Sequence, residues 1–293
     1  MTVGPGGGCQ IEVLGRAVAV GVNTATLHVA TTDGTARSSP VQITGDAAPT
    51  VEITAAPPAL TASDNAAIFF TASDDGPLDV RCTVDEVAVV LDCTSPFALS
   101  DLTDGAHSVT VTVTDSHDQT DSDTATWTVD ATAPALFLPA GVSVDANGPS
   151  GAVVTYAASA TDTVDPDARV RCEPASASTF GIGDTTVLCV ASDDAGNTAS
   201  AEFVVHVADA AEQVDDVADD VRAAPVPAGT RTSLVAKLER VAGAIDTGAN
   251  SEACTALGDF IAQVRAQRGK KIPTAAADRL ITEAQRISAV LAC

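Results

Sequence analysis

Apolar and polar residues alternate one by one through much of the first 207 positions, the period of a half-buried strand. The runs QIEV, RAVAV, ATLHVAT and PVQIT fill the first 46 residues. TVEIT, AIFFTAS, VRCTV, VAVVLDC, SVTVTVTDS and TATWTV follow, about ten residues apart, with Asp, Gly and Ser between them. After residue 208 the period changes. Val214, Val217 and Val221 fall on one helical face, with Asp215, Asp216, Asp219 and Asp220 mostly elsewhere. Pro225 and Pro227 end that helix. Leu234, Leu238, Val241 and Ile245 predict a second helix from about 229. Cys254, Leu257, Phe260, Ile261 and Val264 predict a third over about 250–268, closed by Gly269. Leu280, Ala284, Ile287 and Leu291 predict a fourth, opened by Pro273 and Thr274.

One strand-turn-strand phrase is written three times, starting at Gly21, Gly105 and Gly183. Each copy is a glycine, an alternating run, an Asp-containing turn and a second alternating run. Self-similarity at this scale points to tandem modules. The predicted fold class is mainly β: tandem Ig-like β-sandwiches followed by a small C-terminal α-helical bundle. The predicted domains are an incomplete Ig-like module at 1–46, a whole one at 47–132, another at 133–208 and a helical bundle at 209–293. Pro49 and Pro134 stand at the joints, where a fixed φ stiffens the array.

Charge narrows the partners. Residues 1–207 hold 27 Asp and Glu against 5 Arg and no Lys, a net of −22; residues 208–293 hold 12 acidic against 10 basic residues. An acidic β portion argues against nucleic acid and anionic membranes, and favours solubility, divalent cations or basic partners. No apolar run reaches the ~20 residues of a membrane span. The expected partner is an extracellular protein or glycan of unknown identity, with no membrane insertion.

Seven cysteines form three local pairs and a remainder. Cys82 with Cys93, Cys172 with Cys189 and Cys254 with Cys293 read as disulfides, which place the chain in an oxidising compartment, secreted or at the cell surface. Cys9 is left free. It lies twelve residues before Gly21, as Cys93 lies twelve before Gly105. Its counterpart of Cys82 would therefore precede Met1. The expectation is a chain that begins inside a module, with its signal peptide upstream of Met1; the alternative is a true start with a free thiol.

Residues 78–131, with Cys82, Cys93, Pro96, Gly105, His107 and Asp115 in the phrase RCTVDEVAVVLDCTSPFALSDLTDGAHSVTVTVTD, resemble bacterial Ig-like modules of surface and secreted proteins. Where those modules carry Ala-Gly-Asn after that Asp, Ser116-His117-Asp118 stands here. Residues 134–207 resemble a hyalin repeat, through Arg171-Cys172-Glu-Pro174, Phe180-Gly-Ile-Gly183 to Cys189, and Asp193-Asp194-Ala-Gly196-Asn197 followed by EFVVHV. Residues 230–293 resemble helical C-terminal modules of the FIMAH type. The resemblances imply β-sandwiches and adhesion or protein binding, and imply no catalysis.

No nucleophile elbow, zinc-protease doublet or phosphate loop occurs, and His28, His107, His117 and His206 are scattered. Asp246-Thr247-Gly248 copies an aspartic-protease triplet but follows a helix where a terminating glycine is expected. No catalytic residue and no cofactor are assigned. Calcium alone stays open: Asp162, Asp165 and Asp167 cluster in one loop and Asp193, Asp194 and Asn197 in another, and hard cations need several converging oxygens. The competing reading is that these side chains shape turns. The functional expectation is a non-catalytic extracellular modular protein, a spacer and an adhesion or protein-binding array. The alternative is an accessory C-terminal tail of a secreted hydrolase whose catalytic domain lies upstream of Met1.

Overall fold

The computed structural model describes residues 21–30 and 36–293, with side chains from Asp46 onward. The expected runs QIEV and RAVAV, and Cys9, lie outside the described residues. The chain divides into two compact units, Met1–Ala131 and Thr132–Cys293.

In the first unit β1 (Gly21–Ala30) and β2 (Ala36–Gly45) form an antiparallel pair. The unit continues with β3 (Thr50–Ala55), β4 (Leu60–Thr61), β5 (Ala66–Ser73), β6 (Asp79–Val84), β7 (Ala88–Leu91), β8 (Phe97–Leu99), β9 (Gly105–Thr114) and β10 (Thr120–Val129). One sheet runs β4-β10-β9-β6-β7 and the other β3-β5-β8. Alternation does what the sequence asks of it. Val109, Val111 and Val113 on β9 are wholly buried, packed with Ile68, Cys82 and Trp127, while the threonines between them face outward. Acidic side chains join the two sheets: Asp121 and Asp123 on β10 accept the backbone N–H groups of Val51 and Ile53 on β3.

The second unit opens with β11 (Ala135–Phe137), β12 (Val142–Asp145), β13 (Ala152–Val154), β14 (Ser159–Thr161), β15 (Arg169–Glu173), β16 (Ser178–Phe180), β17 (Gly183–Ser192) and β18 (Thr198–Ala208). The main sheet runs β12-β18-β17-β15, with β11-β14 and β13-β16 as short pairs. The three copies of the repeated phrase are thus the three long hairpins β1–β2, β9–β10 and β17–β18.

Helices α1 (Ala210–Ala223), α2 (Ala228–Asp246), α3 (Asn250–Gln267) and α4 (Thr274–Val290) complete the unit. Asp209 caps α1: its carboxylate accepts the N–H groups of Ala211 and Glu212, and Glu212 reaches back to the N–H of Asp209. Gly248, in the left-handed region, follows the end of α2. The helices do not stand apart from the sandwich. Val205 and Val207 on β18 share one buried cluster with Val214 and Val217 on α1 and Ile287 on α4.

Disulfides join Cys82 to Cys93, Cys172 to Cys189 and Cys254 to Cys293. The last ties α3 to the C-terminus across 39 positions, worth about 4 kcal/mol in the chain-entropy view.

Candidate functional site

The two acidic loops of the second unit meet. The carboxylate of Asp165 accepts the N–H of Asp194 at 2.9 Å, and carboxylate oxygens of Asp162 and Asp193 lie within 4.8 Å of each other. Most of these oxygens are already used by the backbone. Asp162 accepts from the N–H groups of Val164 and Asp165. Asp165 also accepts from that of Asp167. Buried Asp193 accepts from Gly196 and Asn197, each at 2.7 Å, and from the Asn197 side-chain amide at 2.9 Å. Asp167 and Asp194 are exposed, and Asp194 stands 3.5 Å from Arg169. A cation here would compete with hydrogen bonds that set the loops.

The first unit repeats the device. Asp115 accepts from the N–H groups of His117 and Gln119, and from the Gln119 amide at 3.0 Å. Asp115 and Gln119 thus act as Asp193 and Asn197 do. Asp118 adopts φ +61° where the other turn uses Gly196 at +99°, so the Ser-His-Asp sequence keeps a turn of the same design. Asp46 joins this cluster through Gln119 and His117, each at 2.8 Å. The pairing of Asp115 with Asp46 was missed in the sequence, because 69 positions separate them.

His107 is a buried ionisable group with a partner at each ring nitrogen. It is 8% exposed, on β9 beside Trp127, with ring centroids 6.0 Å apart. Its Nδ1 lies 2.8 Å from the Asp85 carboxylate and its Nε2 2.7 Å from the Thr103 carbonyl. Both neighbours are acceptors, so the geometry favours the doubly protonated ring. Burial pulls the pKa of His107 down, but the Thr103 carbonyl, the Asp85 hydrogen bond and the Asp85 charge outweigh it and hold the pKa above the ordinary value. Burial raises Asp85 in turn, and the Ser108 N–H and His107 bring it below the ordinary carboxylate value. Asp85 reaches this position from a tight turn, at φ +49°. Trp127 itself is 3% exposed, a core anchor.

The other described histidines are also tied down. His206 on β18 lies 2.6 Å from Asp184 and 3.2 Å from Glu212 on α1; the Asp184 hydrogen bond, above all, raises its pKa. His117 lies 3.4 Å from the Ser116 hydroxyl, yet it uses the same Nδ1 that faces Asp46. A relay needs the two ring nitrogens on opposite partners, so Ser116, His117 and Asp46 are not one. The side chain of His28 lies outside the described residues.

Residues 129–207 match the family model of the HYR domain. That segment is a HYR domain. It makes up roughly a quarter of the chain and contains both acidic loops and the Cys172–Cys189 bond. No curated protein matches the chain. Among solved structures, the fibronectin(III)-like modules of Clostridium thermocellum CbhA are 16% identical, covering 54% of this chain and 94% of that one, with a TM-score of 0.29. Drosophila N-cadherin EC1-4 is 12% identical, with 64% and 58% covered and a TM-score of 0.34. Sidekick-1 immunoglobulin domains 1–4 are 11% identical, with 64% and 59% covered and a TM-score of 0.35. The chain therefore spans about three fifths of the N-cadherin and Sidekick-1 chains. At these values the likenesses carry no functional argument. Among the described residues, no helix is long and apolar enough to cross a membrane.

Proposed function

We propose that this chain is a non-catalytic extracellular array in which β-sandwich modules act as spacers and protein-binding surfaces. The observation that carries the reading is the HYR domain, held by its own disulfide within one sandwich, in a chain that also holds a second disulfide-bonded sandwich and a disulfide-closed helical bundle. Bonds that close inside single modules suit an oxidising exterior. Two of the buried acidic side chains, Asp115 and Asp193, are spent on turns, and His107 on a structural ion pair, which supports a scaffold rather than a catalyst.

Two measurements test this. Thiol alkylation of intact producing cells, followed by mass spectrometry, should find the chain outside the cytoplasm with Cys172 and Cys189 unmodified until reduction. Recovery of a reduced chain from the cytoplasm would refute the location. Purified chain should show no turnover on ester, glycoside and peptide panels, and should bind members of an array of extracellular proteins. Turnover abolished by one Asp, Ser or His substitution would refute the non-catalytic reading.

A further inference from the structure

Among the described residues, strand β7 ends the five-stranded sheet and pairs with β6 alone. All four of its residues are exposed, although Ala88-Val-Val-Leu91 is wholly apolar. Val89 is 53% exposed and Leu91 63%. Native edges are usually guarded by charge, proline or a bulge, because unpaired N–H and C=O groups recruit other strands. The sheet edge of the HYR domain obeys that rule, with Arg169, Arg171 and Glu173 pointing outward from β15. The β7 edge does not.

The two faces of β7 differ. Register sets Val89 beside Thr83 and Leu91 beside Arg81 of β6. This face lines a groove of about 700 Å³ whose rim carries the carboxylates of Asp79, Asp92 and Asp118, with Arg81 as its one basic residue. The other face sets Ala88 and Val90 beside Val84 and Cys82, at the margin of the core. An occupant suited to both faces alternates basic and apolar side chains.

We propose that β7 is a docking edge for an extended segment of a protein partner in which Lys or Arg alternates with apolar residues. This rests on the protein-binding reading above and names its surface. The segment adds a strand to the sheet, and main-chain hydrogen bonds supply affinity. Its basic side chains reach Asp79, Asp92 and Asp118, and its apolar side chains cover Ala88 and Val90. A second copy of this chain fits worse. Antiparallel self-pairing centred on Val89 sets Glu86 opposite Asp92, between copies that each carry a net charge of −24.

The test is fluorescence anisotropy with a labelled, blocked peptide of alternating Lys and Val. A peptide of the same composition in two blocks, Lys then Val, is the control for general attraction to acidic surface. Only the alternating peptide should bind, and its affinity should fall as salt rises from ~50 mM to ~500 mM. Leu91→Lys and Val89→Lys should each weaken it ~10-fold, as should Asp92→Asn combined with Asp118→Asn. Both Asp sites have positive φ, which Asn tolerates, so the fold is kept in that variant. Val153→Lys, at an exposed site in the HYR domain, should change nothing. Amides of residues 88–91 should gain hydrogen-exchange protection on binding. Equal binding of the block peptide, or self-association of the chain that Leu91→Lys abolishes, would overturn the proposal. Failure of the peptide while the whole chain still binds an extracellular protein would sink this edge alone and leave the array reading standing.

Discussion

Arg286 on α4 donates from Nε to the side-chain oxygen of Gln213 on α1, at 3.0 Å. Gln213 is wholly buried, and its amide nitrogen donates to the carbonyls of Ala146 and Ala208 at the base of the sandwich. Arg286 also meets Asp145 at 2.6 Å. Two helices and the HYR domain are thus clasped by one polar network inside an apolar cluster. Removing one member strands the rest, which costs more than the bond itself. Gln213→Leu should destabilise the second unit by about 2 kcal/mol. Urea unfolding followed by helical circular dichroism checks it, and an unchanged midpoint would show the network to be dispensable.

The His107–Asp85 pair makes the first unit sensitive to alkali. The folded pKa of His107 is raised, so its contribution is fully present below the ordinary value of 6.5 and is lost as pH rises through the folded value. Asp85 is depressed, so its contribution is present above the ordinary 3.8 and is lost as pH falls through its folded value. The melting temperature of this unit should therefore decline on the alkaline side of the histidine range, and His107→Gln should flatten that decline. Trp127 is the sole tryptophan, so its fluorescence follows this unit alone. A flat profile in the wild-type chain would contradict the ion pair.

Gly151 has φ +99°, and a Cβ there would lie 1.9 Å from the Phe180 carbonyl oxygen. The clash is with backbone, in a conformation that only glycine adopts freely. Gly151→Ala should cost ~3 kcal/mol or more, against ~0.5 or less for Gly148→Ala, where a Cβ meets nothing within 4 Å. Calorimetric scans of the two variants make the comparison; equal losses would count against it.

Calcium should stabilise the HYR domain no more than magnesium at equal ionic strength, because Asp162, Asp165 and Asp193 already serve backbone N–H groups. Asp193→Ala should lower stability by ~1–3 kcal/mol with or without the metal. A calcium-specific rise in melting temperature that Asp165→Ala with Asp194→Ala removes would establish a cation site instead.

Local period by itself determined the element types. Val109, Val111 and Val113 declare a strand with one buried face, and Val214, Val217 and Val221 declare a helical stripe, because each pattern is a property of the chain's own geometry. The Asp193 and Asn197 turn is legible for the same reason, since its bonds span four residues. Position within a sheet is not a local property. VAVVLDC reads as a strand like its neighbours, but its period does not say that β7 ends its sheet among the described residues, with all four of its residues exposed. Nor does sequence show which distant groups will face each other. Asp85 reaches His107, and Arg286 reaches Gln213, across 22 and 73 positions. Those contacts exist only once the hairpins and helices have packed, and they decide where the buried charge and the buried amide are satisfied.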